Sequence, residues 1–139
     1  MEVNNMGLLE TKYEDYLYVI FRVGIGALFF MYGAQKVFGL WGMPGGPAAF
    51  GTLVWYAGTA EFLIGLALMS GVLTRLASFF GVIEMLVAYV MGHALPNGWN
   101  PATNMGAPAL LFMLAFLVTL AYGARKMSIE QAIRGKELF

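Results

Sequence analysis

Four apolar stretches, about residues 16–38, 50–69, 76–95 and 105–122, determine what this chain can fold into. An α-helix rises 1.5 Å per residue, so about 20 apolar residues cross a hydrocarbon core of roughly 30 Å. Breakers separate the stretches. Gly39-Leu-Trp-Gly-Met-Pro-Gly-Gly-Pro47 follows the first, Gly71 to Arg75 turns the second into the third, and Pro96-Asn-Gly-Trp-Asn-Pro-Ala-Thr-Asn104 precedes the fourth. Composition points the same way. Hydrophobic residues make up 60% and charged ones 12%, against roughly 45–50% and about 25% in a soluble domain. With a mean hydropathy of +0.71, 139 residues cannot bury this much apolar surface among themselves. The sequence predicts one domain, residues 1–139, that is all-α: an integral membrane four-helix bundle with a short amphipathic C-terminal helix, held in a lipid bilayer.

The ends follow from capping chemistry. Thr11-Lys-Tyr-Glu14 fits a capping box that opens the first helix, with Thr11 as N-cap. Gly123 ends the fourth, and Ser128-Ile-Glu-Gln131 opens a tail over 128–139 whose Ile129, Ala132 and Ile133, with Leu138, would lie on the membrane surface. Met1 to Glu10 has neither a basic region nor a short apolar core, so no signal peptide is expected and the first helix serves as the insertion signal. Lys12, Arg75, Arg125, Lys126, Arg134 and Lys136 all fall on the side of the termini. The positive-inside rule then places both termini in the cytoplasm of a multi-pass protein of the cell membrane, with Trp41, Trp55 and Trp99 at the opposite interface.

Several chemistries are excluded. Net charge is zero and no basic patch is interleaved with aromatics, which argues against nucleic acid as a partner. There is no cysteine and one histidine, so the chain supplies no disulfide, thiol nucleophile, iron–sulfur ligation or bis-histidine haem. A lone histidine with scattered carboxylates suggests no metal site. Any redox chemistry would use a bound organic carrier or a partner's cofactor.

Polar groups inside the apolar runs are therefore the informative ones, because an ionisable group at bilayer depth costs several kcal/mol unless paired or hydrated. At 1.5 Å per residue Arg22 lies roughly 9 Å from the cytoplasmic end of its span, Glu61 about 15 Å and Glu84 about 13 Å. Small residues share their faces: Gly26 and Gly33 with Arg22, Gly58 and Gly65 with Glu61, Gly81 and Gly92 with Glu84. Such residues let membrane helices approach closely. The expectation is a buried cluster of Arg22, Glu61 and Glu84, acting either as a site or as a pin for helix packing. Two carboxyls against one guanidinium leave one surplus, to be met by a proton, a ligand, water or a partner. A second group gathers at the outer mouth: Gln35, Lys36, Trp55, Tyr56 and His93, with Trp41, Asn97, Trp99 and Asn104 nearby. It could receive a quinone head group, or it could be interfacial anchoring with Lys36 snorkelling to the surface. On an ideal helix His93 lies nearly opposite Glu84, so the two share a site only if that helix distorts.

The motifs together resemble the DoxX family of small four-helix membrane proteins. The resemblance rests on Arg22-Val-Gly24 and Tyr32-Gly33-Ala-Gln-Lys36, then Gly58-x-x-Glu61, Gly65-x-x-Leu68-x-x-Gly71 and Thr74-Arg75. It continues through His93 to the ending Gly123-Ala-Arg-Lys126-Met-Ser128-Ile-Glu130. Gly106-Ala-Pro108 stands where many relatives carry an acid at the start of the fourth span. The family includes a subunit of a thiosulfate:quinone oxidoreductase, so the resemblance implies a quinone-linked membrane oxidoreductase subunit or its membrane partner. Quinone is the implied cofactor, and other membrane or redox subunits are the implied partners. Two alternatives stay open. One is a non-catalytic scaffold subunit of a larger complex. The other is a small transporter or proton path, for which a homo-oligomer could supply missing spans.

Overall fold

The computed structural model describes residues 13–136. Helix α1 spans Glu14–Phe38, α2 Leu53–Ser70 and α3 Thr74–Val87. A seven-residue π-helical segment, Ala88–Ala94, continues α3 into the short α4, Leu95–Asn97. Helix α5 covers Ala107–Tyr122 and α6 covers Ile129–Arg134. Among the described residues three continuous helical runs, Glu14–Phe38, Leu53–Ser70 and Thr74–Asn97, are long and apolar enough to cross a membrane. With 16 residues, α5 is about 24 Å long and falls short of a full-thickness span.

Local chemistry fixes the boundaries. The expected Thr11 cap lies outside the described residues; α1 begins behind Tyr13, which makes no side-chain cap. Helix α2 starts later than the apolar run suggests, because the Thr52 hydroxyl accepts from the Trp55 amide and sets the N-cap there. Gly39 and Gly71 close α1 and α2 in the left-handed region, at φ 67° and 71°. Ser128 caps α6 by accepting from the Gln131 amide, as its capping sequence predicts. Ile129 and Ile133 of α6 are exposed, and Leu138 lies outside the described residues.

Helices α1 and α2 form the tightest pair, antiparallel and backbone against backbone. A Cβ added at Gly33 would lie 2.6 Å from the Gly58 carbonyl oxygen, and one at Gly65 would lie 2.5 Å from the Phe30 nitrogen. No side chain fits in that seam. Helix α3 packs on α5, where Gly81 receives the face of Phe116 and the Ser78 and Thr119 hydroxyls meet at 2.6 Å. Phe29, Leu68, Met85 and Phe116 fill the centre. Ile20, Leu63, Phe80, Leu86, Leu111 and Leu117 point outward and are exposed, which is the outside of a bundle solvated by lipid rather than water.

Candidate functional site: a charged wall between two cavities

The glycine seam sets the register that builds the site. Lys36 lies one turn beyond Gly33, and Glu61 one turn beyond Gly58. The side chain at Lys36 crosses the notch at Gly58, where an added Cβ would come within 2.7 Å of Lys36 Cβ. Lys36 Nζ donates to Glu61 Oε1 at 2.5 Å. Side-chain exposure is 4% for Glu61 and 27% for Lys36, so a nearly buried carboxylate holds a cation that still reaches the edge.

Glu61 therefore takes Lys36 as its cation, and Arg22 serves elsewhere. The completely buried Arg22 donates from Nη1 to the Ala124 carbonyl and from Nη2 to the Met127 carbonyl, each at 2.9 Å. The reason lies in helix geometry. Cα–Cβ bonds tilt toward a helix's own N-terminus. In the antiparallel pair Arg22 leans toward the start of α1, whereas Glu61 leans toward the start of α2, at the other end. Lys36 leans back into the bundle and meets it. The expected trio is thus divided: Glu61 and Glu84 come together at one cavity, and Arg22 clamps the segment after α5.

That clamp has further members. Ser128 Oγ donates to the Gly71 carbonyl at 2.6 Å, the Leu73 amide donates to Glu130 Oε2 at 3.1 Å, and Tyr18 donates to the Gly123 carbonyl. Arg125 and Lys126 pair with Asp15 at 3.3 and 3.0 Å. Arg125 and Met127 hold φ of 53° and 55°, within the kinked backbone that carries the Ala124 and Met127 carbonyls. These are structural contacts among α1, the α2–α3 turn and the C-terminal segment.

The larger cavity, about 680 Å³, opens between α2 and α3. Its lining is mostly apolar, with Leu53, Ile64, Phe80, Ile83, Val87 and Met91, and includes Lys36, Glu61, Glu84, His93 and Tyr56 as polar members. A smaller one, about 250 Å³, lies on the α5 side against Phe29, Tyr32, Pro108 and Phe112. Lys36, Glu61, Met85, Ala88 and His93 line both and form the wall between them. Gln35 and Trp55 line neither; Trp55 packs against Phe50 and Tyr56.

His93 reaches this wall because the helix distorts. From Ala88 to Ala94 the ladder widens to i→i+5, seen where the Leu95 amide bonds the Val90 carbonyl. The extra residue per turn rotates His93 from the far side of α3 onto the face of Glu84. Pro96 supplies a local cause, since it has no amide to donate to the Gly92 carbonyl and its ring crowds that position. π segments of this kind recur at functional sites. The loop beyond locks the result: His93 Nδ1 lies 3.1 Å from the Asn104 carbonyl, Tyr89 donates to the Trp99 carbonyl, and the Asn104 side chain bridges Gly98 and Gly106. A carbonyl only accepts, so Nδ1 carries the hydrogen, and in the neutral ring Nε2 is an acceptor. Among the described residues no group of three His, Asp or Glu side chains is placed to hold a metal ion.

One ion pair leaves much of the larger cavity's polar lining unsatisfied. Glu61 Oε2 and both Glu84 oxygens are buried without a hydrogen-bond partner among the described residues. Buried polar atoms are normally paired.

The sequence profile of the DoxX family matches residues 17–94, which includes every charged group of the wall and the π segment. The chain belongs to the DoxX family. It is a multi-pass membrane protein. It is 31% identical over 123 residues to an uncharacterized protein of Haemophilus influenzae, covering 86% of this chain and 92% of that one. No solved structure matches it. In this DoxX protein the Arg22 clamp joins the matched region to a C-terminal segment beyond it. The sequence motifs had placed Arg22, Glu61 and His93 without revealing which of them act together.

Proposed function

We propose that this protein is a quinone-binding membrane subunit, taking the head group of a lipid-borne quinone or quinol in the cavity between α2 and α3 and working beside a redox partner. The observation that carries the reading is that cavity's polarity. A mainly apolar cavity of about 680 Å³, in the usual range for small-molecule sites, carries Lys36, Glu61, Glu84 and His93 on its lining. A quinone couple has that split: an apolar tail, and a ring whose two oxygens need polar partners. With no cysteine and one histidine, electrons would come from the partner's cofactor. Both termini and the Arg22 clamp lie on the cytoplasmic side in this reading, α5 completes a four-span bundle, and the cavities open near the outer face.

The test is quinone content and binding. Protein extracted in native lipid discs should retain quinone, and a short-tailed quinone added to stripped protein should bind saturably. Glu61→Gln should weaken binding of the quinol form, whose hydroxyl can donate to the carboxylate, about tenfold, the scale of one hydrogen bond to a charged group. Absence of both retained and added quinone in the unaltered protein refutes the reading. One observation supports a second reading, a proton path: the wall of Lys36, Glu61 and His93 is common to both cavities, which would let protons cross it. Proton flux in liposomes that stops in Glu61→Gln would favour that reading.

A further inference from the structure

Resting on the quinone reading, we infer that the cavity is built for the reduced, hydroxyl-bearing form of the couple. The two carboxyls present four oxygens, and Lys36 occupies one of them. The other three are buried and without a partner among the described residues. Glu61 is only 3% exposed, so its free oxygen depends for a partner on what fills the cavity. His93 adds another acceptor at Nε2 once Nδ1 is committed to Asn104. Apart from the remaining Lys36 N–H groups, this part of the lining offers acceptors.

A quinone carbonyl accepts hydrogen bonds and cannot donate one. Placed against Glu61 and Glu84 it leaves their oxygens orphaned and sets lone pairs against lone pairs. A quinol carries two hydroxyls, each able to donate to a carboxylate oxygen and still accept from the Lys36 ammonium. Even with one proton shared between the two carboxyls, acceptors outnumber donors at the wall. A site whose buried polar groups go unpaired with the wrong ligand discriminates strongly against it. The preference is thermodynamic and concerns binding alone; no electron or proton transfer is needed to express it.

The experiment is an anaerobic redox titration of a decyl-tailed benzoquinone couple, with the full chain in lipid discs and with empty discs. Tighter binding of the quinol raises the midpoint potential of the bound couple. A preference of about tenfold corresponds to about 30 mV for a two-electron couple, and a rise of at least that size is expected. Glu84→Gln keeps the shape, replaces an acceptor with an amide donor and should erase most of the rise while the couple still binds. A bound couple whose midpoint is unchanged or lowered overturns the inference and leaves the quinone reading standing. Failure of both forms to bind removes the quinone reading itself. Tighter binding of a long-chain primary ammonium than of the quinol would also overturn the inference, by assigning the orphan acceptors to a cation.

Discussion

Deleting Lys36 should cost more than deleting Glu61, and deleting both should cost less than deleting Lys36 alone. Lys36→Met removes the ammonium from a carboxylate whose side chain is 4% exposed. Breaking a buried pair from one side costs about 3–5 kcal/mol. Lys36 is 27% exposed, so water already screens part of the interaction, and the expected loss falls to about 2–3 kcal/mol. Glu61→Met strands the other partner, but a lysine can straighten toward the surface, and about 1 kcal/mol should suffice. With methionine at both positions neither member of the pair is stranded, the volumes are nearly kept, and stability should return to within about 1 kcal/mol of the starting protein. The assay is reversible unfolding in mixed micelles, titrated with denaturing detergent and followed by tryptophan emission, with the four proteins forming a double-mutant cycle. Equal single losses that simply add in the double variant would show that the pair is not coupled, and the reasoning from burial would be wrong.

Other expectations follow from the same geometry. Gly33→Ala and Gly65→Ala force a methyl into a seam where it would meet backbone at 2.6 and 2.5 Å, so each should destabilise by about 1–3 kcal/mol. Gly24→Ala, with nothing within 4 Å, should stay within about 0.5 kcal/mol in the same titration. Similar values for all three would refute the seam. Arg22→Lys cannot fork to two carbonyls; amide exchange over residues 123–130 should rise while quinone affinity stays unchanged, and a fall in affinity would show that the clamp reaches the cavity. Deleting Met91, within the π segment, shortens it by one residue and turns His93 by about 100°. Circular dichroism should show the helix intact while ligand affinity drops about tenfold; undiminished binding would separate the π segment from the site.

The sequence was readable where local rules decide. Apolar run length and breakers located the helices, and Gly58-x-x-Glu61 marked one half of the tight seam. The Ser128 cap was visible too. Partner choice was not. Depth along the membrane put Arg22 and Glu61 within a few residues of each other, and only the opposite lean of side chains on antiparallel helices separates them. Lys36 looked like a snorkelling cation for the same reason: its position near a helix end was legible, but the notch made for it by Gly58 on another helix was not. The π segment had a sequence signal, Pro96 four residues after Gly92, although a proline near a helix end more often signals only a stop. Nothing local foretold that Glu130 would reach the Leu73 amide, because that contact depends on where α5 delivers the chain.

The Arg22 clamp has a consequence for how the molecule is made. The carbonyls that receive its guanidinium lie 102 and 105 residues further along, so a ribosome adding about 5–20 residues per second takes roughly 5–20 s to supply them. Until then α1 carries a cation whose mature acceptors do not yet exist, a charge that costs up to about 3 kcal/mol within a bilayer. The first helix is therefore expected to wait, displaced toward the head groups or sheltered by the insertion machinery, while the rest of the chain is threaded. Its final depth is set when the segment carrying Ala124 and Met127 arrives, so a late part of the fold seats an early one.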